Sequence, residues 1–268
     1  MFVYRENDPS GTYLIPQTSH AWLAWQIAGH WGNRSFARPS PRAETLAAVL
    51  LHDGGWSDYD EAPEIDADGR PRTFDRMAVS EHLAIWRASI ARSAQYSRYS
   101  GLLVASHFAA MADRKLADLL DHGSNAEARL TRSFTAETER LEASWLEELS
   151  ADPRYAPVLS GPARETNARL LDTCDRISVY LCASLPSPFE VWAQNAAGNT
   201  EVVSFDTVDR TTWRVHPWPL QGERLQIHCE GKRLARVQFE SADEFSEALR
   251  RAPVERLVFT LLRPSAVS

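Results

Sequence analysis

From about residue 19 to residue 184, apolar side chains recur at spacings of three and four. That period predicts helices over 19–31, 42–52, 80–96, 101–122, 125–148 and 163–184. Ser80 is a suitable N-cap for the third, and Gly54-Gly55 stand where a left-handed C-cap would close the second. Ahead of the helices, 2–5 and 12–15 flank the turn-rich Asn7-Asp8-Pro9-Ser10-Gly11 and predict a β-hairpin. The stretch 61–74 is rich in Pro, Asp and Gly and reads as a long surface loop. Past Pro186-Ser187-Pro188 the period changes to two, in runs such as 213–215, 225–229, 237–239 and 257–261, with one short helix over 243–251. The pattern predicts a mainly α chain that is α+β overall. Residues 1–185 form a helical domain with an N-terminal hairpin, and 186–268 form a β-rich C-terminal subdomain whose sheet the hairpin is expected to join.

Composition narrows the function. With 44% hydrophobic and 24% charged residues over 268, the chain can bury a sizeable core and is not of disordered composition. A net charge of -7 gives it no general attraction to nucleic acid or anionic lipid. Cys174 and Cys182 lie two turns apart on one predicted helix, Cys229 lies in the tail, and no C-x-x-C pair occurs. This argues against a disulfide framework and a cysteine-based zinc site. The acidic start lacks the apolar run of a signal peptide, and no stretch has the length and apolarity of a membrane span. A cytoplasmic protein acting on a small molecule, without nucleic acid or membrane partners, is the expectation.

The segment with most chemistry is Leu50-Leu51-His52-Asp53-Gly54-Gly55-Trp56. The helix before it is apolar on nearly every side and is expected to be buried all round. An imidazole and a carboxylate then stand at the end of a buried element. A buried carboxylate must neutralise, pair with a cation or bind a metal. A His-Asp pair offers nitrogen and oxygen to a borderline divalent ion.

One such dipeptide is close to what chance supplies, so the company it keeps decides. His20 shares a face with Leu23, Ala24 and Ile27; His82 with Val79, Ile85 and Trp86; His107 with Leu103, Val104, Ala110 and Met111. Asp175, with Leu171, Ser178, Val179 and Cys182 around it, points to the core. Asp172 reads as a solvent-side partner of Arg176 four residues on. Each of these taken alone is more readily a hydrogen-bonded core residue. Taken together, His20, His52, Asp53, His82, His107 and Asp175 are satisfied at once by one or two divalent metal ions (Fe, Mn or Zn). His30 and His122 sit at predicted helix ends, where they complement the dipole. Trp56 follows the turn closely enough to wall a site and contact substrate. Arg76 and Arg114 are candidate phosphate partners, with ordinary surface charge as the alternative. Gly54-Gly55 lack the strand and lysine of a phosphate loop.

In their order along successive helices, these residues resemble the HD-domain superfamily of metal-dependent phosphohydrolases. Leu51-His52-Asp53-Gly54-Gly55-Trp56, Glu81-His82 through Trp86, Gly101 through His107, and Asp175 through Cys182 resemble more closely a bacterial family known as domain of unknown function 3891. The superfamily resemblance implies an HD-like helical domain. It places His20, His52, Asp53 and Asp175 at a first ion, and His82 and His107 at a second, with Asp53 bridging. The activity it implies is hydrolysis of a small phosphate ester or nucleotide-like substrate, with Asp53 as the catalytic carboxylate. A diiron oxygenase and a non-catalytic binding or sensing protein on the same scaffold are the alternatives. Trp56 stands where the superfamily often has a basic residue, so no phosphate-binding lysine is implied there. The β-rich tail is left with three roles: covering the site, forming a homodimer interface, or closing the core.

Overall fold

A computed structural model describes residues 2–8, 11–62, 64–122, 124–185 and 187–264. Pro9 and Ser10 of the expected hairpin turn, Gly123 after His122, and Pro186 lie outside the described residues. The elements in chain order are β1 (Phe2–Asp8), β2 (Gly11–Pro16), α1 (Gln17–His30), α2 (Arg42–Leu51), α3 (Ser57–Glu61), α4 (Val79–Tyr96), α5 (Arg98–His122), α6 (Asn125–Ser150), α7 (Ala156–Leu159), α8 (Ala163–Ala183), β3 (Phe189–Gln194), β4 (Thr200–Asp209), β5 (Thr212–His216), β6 (Arg224–Leu234), α9 (Ala242–Arg251) and β7 (Val254–Leu262). The chain groups into two compact units. One comprises Met1–Arg38, Trp56–Arg76 and Thr173–Ser268; the other comprises Pro39–Gly55 and Met77–Asp172. Helix α8 contributes its residues up to Asp172 to the second unit and the remainder to the first.

The first unit is built on a seven-stranded sheet in the order β1-β2-β6-β7-β5-β4-β3, antiparallel except for the β5–β7 pair. The hairpin joins this sheet as expected, with Thr12 opposite Leu234 and Leu14 opposite Lys232. Period-two alternation places Phe189, Val191 and Ala193 inside on β3, and Leu225, Ile227 and Cys229 inside on β6. Helix α1 is pinned to β6 at two points two turns apart. Ser19 Oγ donates to the Glu230 carbonyl (2.7 Å) and accepts the Glu230 N–H (2.9 Å). Gln26 makes the same reciprocal pair with the His228 carbonyl and N–H (2.7 and 3.1 Å). The buried stripe His20, Leu23, Ala24, Ile27, Ala28 follows from that clamp.

Arg5 is almost completely buried in this unit. Its guanidinium donates to the carbonyls of Leu181 (2.8 Å) and Arg210 (3.3 Å) and lies 5.5 Å from the centre of the Phe259 ring. Leu181 is in the last turn of α8, where carbonyls lack helical partners and a cation is favoured. Arg5→Met is expected to cost about 2 kcal/mol, since a buried carbonyl loses a charged donor. A lower urea midpoint would show it, and an unchanged midpoint would rule out this capping role.

One expectation for the first unit is corrected and one is met with a refinement. Residues 237–239 are not a strand. The Phe239 N–H donates to the Gly69 carbonyl (2.8 Å), and its ring joins Leu14, Leu234, Phe245 and Leu249 in a buried cluster. The segment 61–74 is on the surface but is anchored. Asp66 accepts the N–H groups of Asp68 and Arg70 (2.9 and 3.0 Å), and Gly69 packs so closely that a Cβ would lie 2.3 Å from the Phe239 carbonyl oxygen.

The second unit is helical. Helix α5 carries a fully buried run from Tyr99 to Ala105 and packs between α4 and α6, with Trp86 stacked on Phe108 (5.3 Å) and tilted against Phe134 (5.6 Å). Burial pushes the Tyr99 hydroxyl up to about 12, against the opposing effect of the hydrogen bond from Asn167. The third predicted helix starts earlier than Ser80. Ala78 is its N-cap, and the Glu81 carboxylate reaches back to accept the Ala78 N–H (2.8 Å), so a first-turn glutamate satisfies the N-cap's own donor where no capping hydroxyl is present. Helix α2 is not buried all round: Thr45, Ala48, Val49 and then His52 form one stripe, Leu46, Ala47, Leu50 and Leu51 are half-buried, and Ala43 is exposed. Among the described residues no helix is long and apolar enough to cross a membrane.

Candidate functional site

In the second unit, His52 is the C-cap of α2 and continues its buried stripe. Its Nδ1 lies 2.7 Å from the Val49 carbonyl oxygen. A carbonyl can only accept, so Nδ1 carries the proton and the lone pair sits on Nε2. That lone pair lies 3.7 Å from Oδ2 of Asp53, itself only 8% exposed. Two acceptors this close repel unless positive charge lies between them, either a proton on Nε2 or a metal ion.

Helix α4 shapes the turn that follows. Gly54-Gly55-Trp56 form a 3-10 turn, and neither glycine has positive φ, so the left-handed cap is not formed. The glycines serve close approach instead. A Cβ on Gly55 would fall 2.2 Å from the Ile85 carbonyl oxygen and 2.9 Å from the Ser89 nitrogen. The Gly55 N–H donates to Ser89 Oγ (2.9 Å), and Arg92 donates to the Gly54 carbonyl. Three residues of α4, one turn apart, thus hold the segment after Asp53.

His107 is buried on α5, edge-on to His52 with ring centres 5.7 Å apart. Its Nδ1 is 3.7 Å from Oδ1 of Asp172. The same carboxylate oxygen is 3.4 Å from Nη2 of Arg114, which is more than half exposed. Asp172 therefore does not pair with Arg176, whose guanidinium lies over the Trp192 ring at 5.5 Å. Single-helix periodicity did not foresee the approach of Asp172 to His107, because spacing reports which residues share a face and not what packs against that face. His82 is half-buried on α4, its ring 5.9 Å from that of Trp86.

In the first unit, His20 is buried on α1. Ser178 Oγ donates to the Asp175 carbonyl (2.7 Å), so it accepts from His20 Nδ1–H (2.9 Å), and the His20 lone pair is on Nε2. Asp175 Oδ1 is 3.9 Å from this same Nδ1. This ring also has its Nδ1 anchored, the arrangement that orients metal-binding imidazoles. Trp56 is buried edge-on to Tyr59 (6.3 Å). Arg76 is exposed and ion-paired with Asp66 at 2.6 Å. The Asp66 carboxyl is held below its ordinary value first by the Arg70 N–H, with smaller help from Asp68 and Arg76. Burial, with Asp175 adding to it, pushes the Cys174 thiol well up, and burial also raises Cys182, whose sulfur is 3.8 Å from that of Cys229.

The structure thus brings His20 to Asp175 within one unit, and His52 to Asp53 and His107 within the other. The family model described as "Protein of unknown function (DUF3891)" matches residues 1–236. No curated protein and no solved structure matches the chain.

Proposed function

We propose, on the premise that the chain belongs to the DUF3891 family of proteins of unknown function, that it is a metal-dependent hydrolase of the HD type acting on a small phosphate ester. The observation that carries this reading is the His52–Asp53 pair, an imidazole lone pair held toward a buried carboxylate by a hydrogen bond on its far side. His20 has the same anchored Nδ1, with Asp175 beside it. Neutral imidazoles and carboxylates are the donor chemistry of Fe, Mn and Zn, so the residues fit a divalent ion. We assign His20, His52, Asp53 and Asp175 to a first ion, as the resemblance to the HD-domain superfamily implies. His82 and His107 belong to a second. When bound, such ions lower the pKa of water and offset phosphoryl charge.

The chain's own residues supply the rest. Asp53, next to His52, orients the attacking water and accepts its proton. Arg114, its guanidinium more than half exposed, is the cation we assign to the phosphate oxygens. Trp56 walls the substrate, and Arg76 adds a second cation at the loop 61–74.

The test is elemental analysis of protein purified without chelators, joined to hydrolysis of phosphate monoesters, diesters and nucleotides with Mn, Zn or Fe, followed as phosphate release (for diesters, after a phosphatase has cleaved the monoester product). One or two ions per chain with phosphate release is the expected result. Two irons with oxygen uptake and no phosphate release would replace hydrolysis by oxygenation. A chain that takes up none of these metals would end the metal reading.

A further inference from the structure

Helix α8 carries two aspartates three residues apart, which is about 4.5 Å along its axis. Asp175 has a place in the proposed centre and Asp172 has none. Yet Asp172 is only 15% exposed, and its Oδ1 faces His107 Nδ1 at 3.7 Å.

That separation is too long for a hydrogen bond. It is close to the span of two donors on one ion: ligands at about 2.1 Å and angles of about 90–120° stand about 3.0–3.6 Å apart. His52 Nε2 and Asp53 Oδ2 are separated by the same 3.7 Å. His107 lies edge-on to His52, so the second unit alone sets two imidazole–carboxylate pairs side by side, each with this spacing. The Arg114 contact does not account for the position of Asp172. An exposed guanidinium at 3.4 Å is a screened pair that contributes little. It gives no reason for the carboxylate to face a buried imidazole.

We infer that Asp172 is a carboxylate ligand of the second ion, beside His107, so that α8 supplies one aspartate to each of two ions. This rests on the two-ion reading proposed above. It assigns a metal-binding role to a residue outside the six-residue set, and it makes Arg114 the outer partner of a ligand.

Mn(II) is the probe. The full-length protein, stripped with chelator, is titrated with Mn(II) by calorimetry, and bound metal is counted after dialysis. The wild type is expected to take up two ions. Asp172→Ala and the isosteric Asp172→Asn are expected to take up one, with unfolding temperatures in chelator equal to that of the wild type. Arg114→Gln is expected to take up both ions at saturating Mn(II), the second bound about 10–100-fold more weakly, since only an outer partner is lost. A wild type that binds two ions while both Asp172 variants also bind two overturns the assignment and leaves the two-ion reading standing. A wild type that binds fewer than two overturns both.

Discussion

His52→Ala is expected to abolish retention of the first ion, with affinity weakened by at least about a hundredfold, since loss of even an outer partner of a ligand costs about 10–100-fold. The same change removes a buried ring and leaves the Val49 carbonyl without its donor, a cost of about 2–4 kcal/mol. Lower stability alone would therefore not identify a ligand. The discriminating measurement is the rise of unfolding temperature with added metal. An ion that binds only the folded chain stabilises it by about 2.7 kcal/mol at a hundredfold excess over Kd. The wild type should show the full rise, and His52→Ala and the bulkier His52→Gln only the part that the second ion supplies. Equal metal content and an equal rise in all three would sink the assignment of His52.

Gly55→Ala should be the most damaging methyl addition in the chain's helical unit. The new Cβ would meet backbone of α4, at 2.2 Å from the Ile85 oxygen, and backbone cannot swing aside as a side-chain end can. Overpacking of this kind costs about 1–3 kcal/mol and sometimes more, and the strain falls on the turn that follows Asp53. A fall of about 3 kcal/mol in urea unfolding, with reduced metal content, is the expected outcome. Gly54→Ala is the control. Its Cβ would meet Arg92 Cδ at 3.6 Å and Arg92 Cβ at 3.9 Å, both ordinary contacts. If both glycine variants unfold alike, close approach to α4 is not why Gly55 is glycine.

Much of the architecture was readable from residue periods. The seven helices predicted from spacing are observed with ends within three residues of those expected, because each buries an apolar stripe, whereas the short α3 and α7 bury none and left no such signal. Residues 237–239 show the limit of that method. Val-Gln-Phe alternates as a strand does, but Phe239 is used to fill a cluster and to pair with Gly69. Local pattern carries no information about which distant loop will compete for a backbone N–H. The grouping into two discontinuous units was out of reach for the same reason. At the candidate site, His52 and Asp53 stood out because polar groups at the end of an apolar helix are chemically conspicuous. Asp172 did not, since Ala168, Arg169 and Arg176 around it look solvated until His107 is seen opposite. The two glycines were noticed, but for the wrong physical reason: turn residues suggest positive φ, and packing against α4 is invisible from one segment.

The placing of β2 beside β6 has a consequence for how the protein is made. The ribosome delivers Thr12 long before Leu234, its partner in the sheet. At about 5–20 residues per second the interval is roughly ten to forty seconds. Throughout it the N-terminal hairpin presents an open strand edge with no neighbour from its own chain, the kind of surface that recruits foreign strands. Slower translation should therefore lengthen the vulnerable interval, and a nascent-chain holdase that shields early β-structure should raise soluble yield more than extra time for the helices to fold.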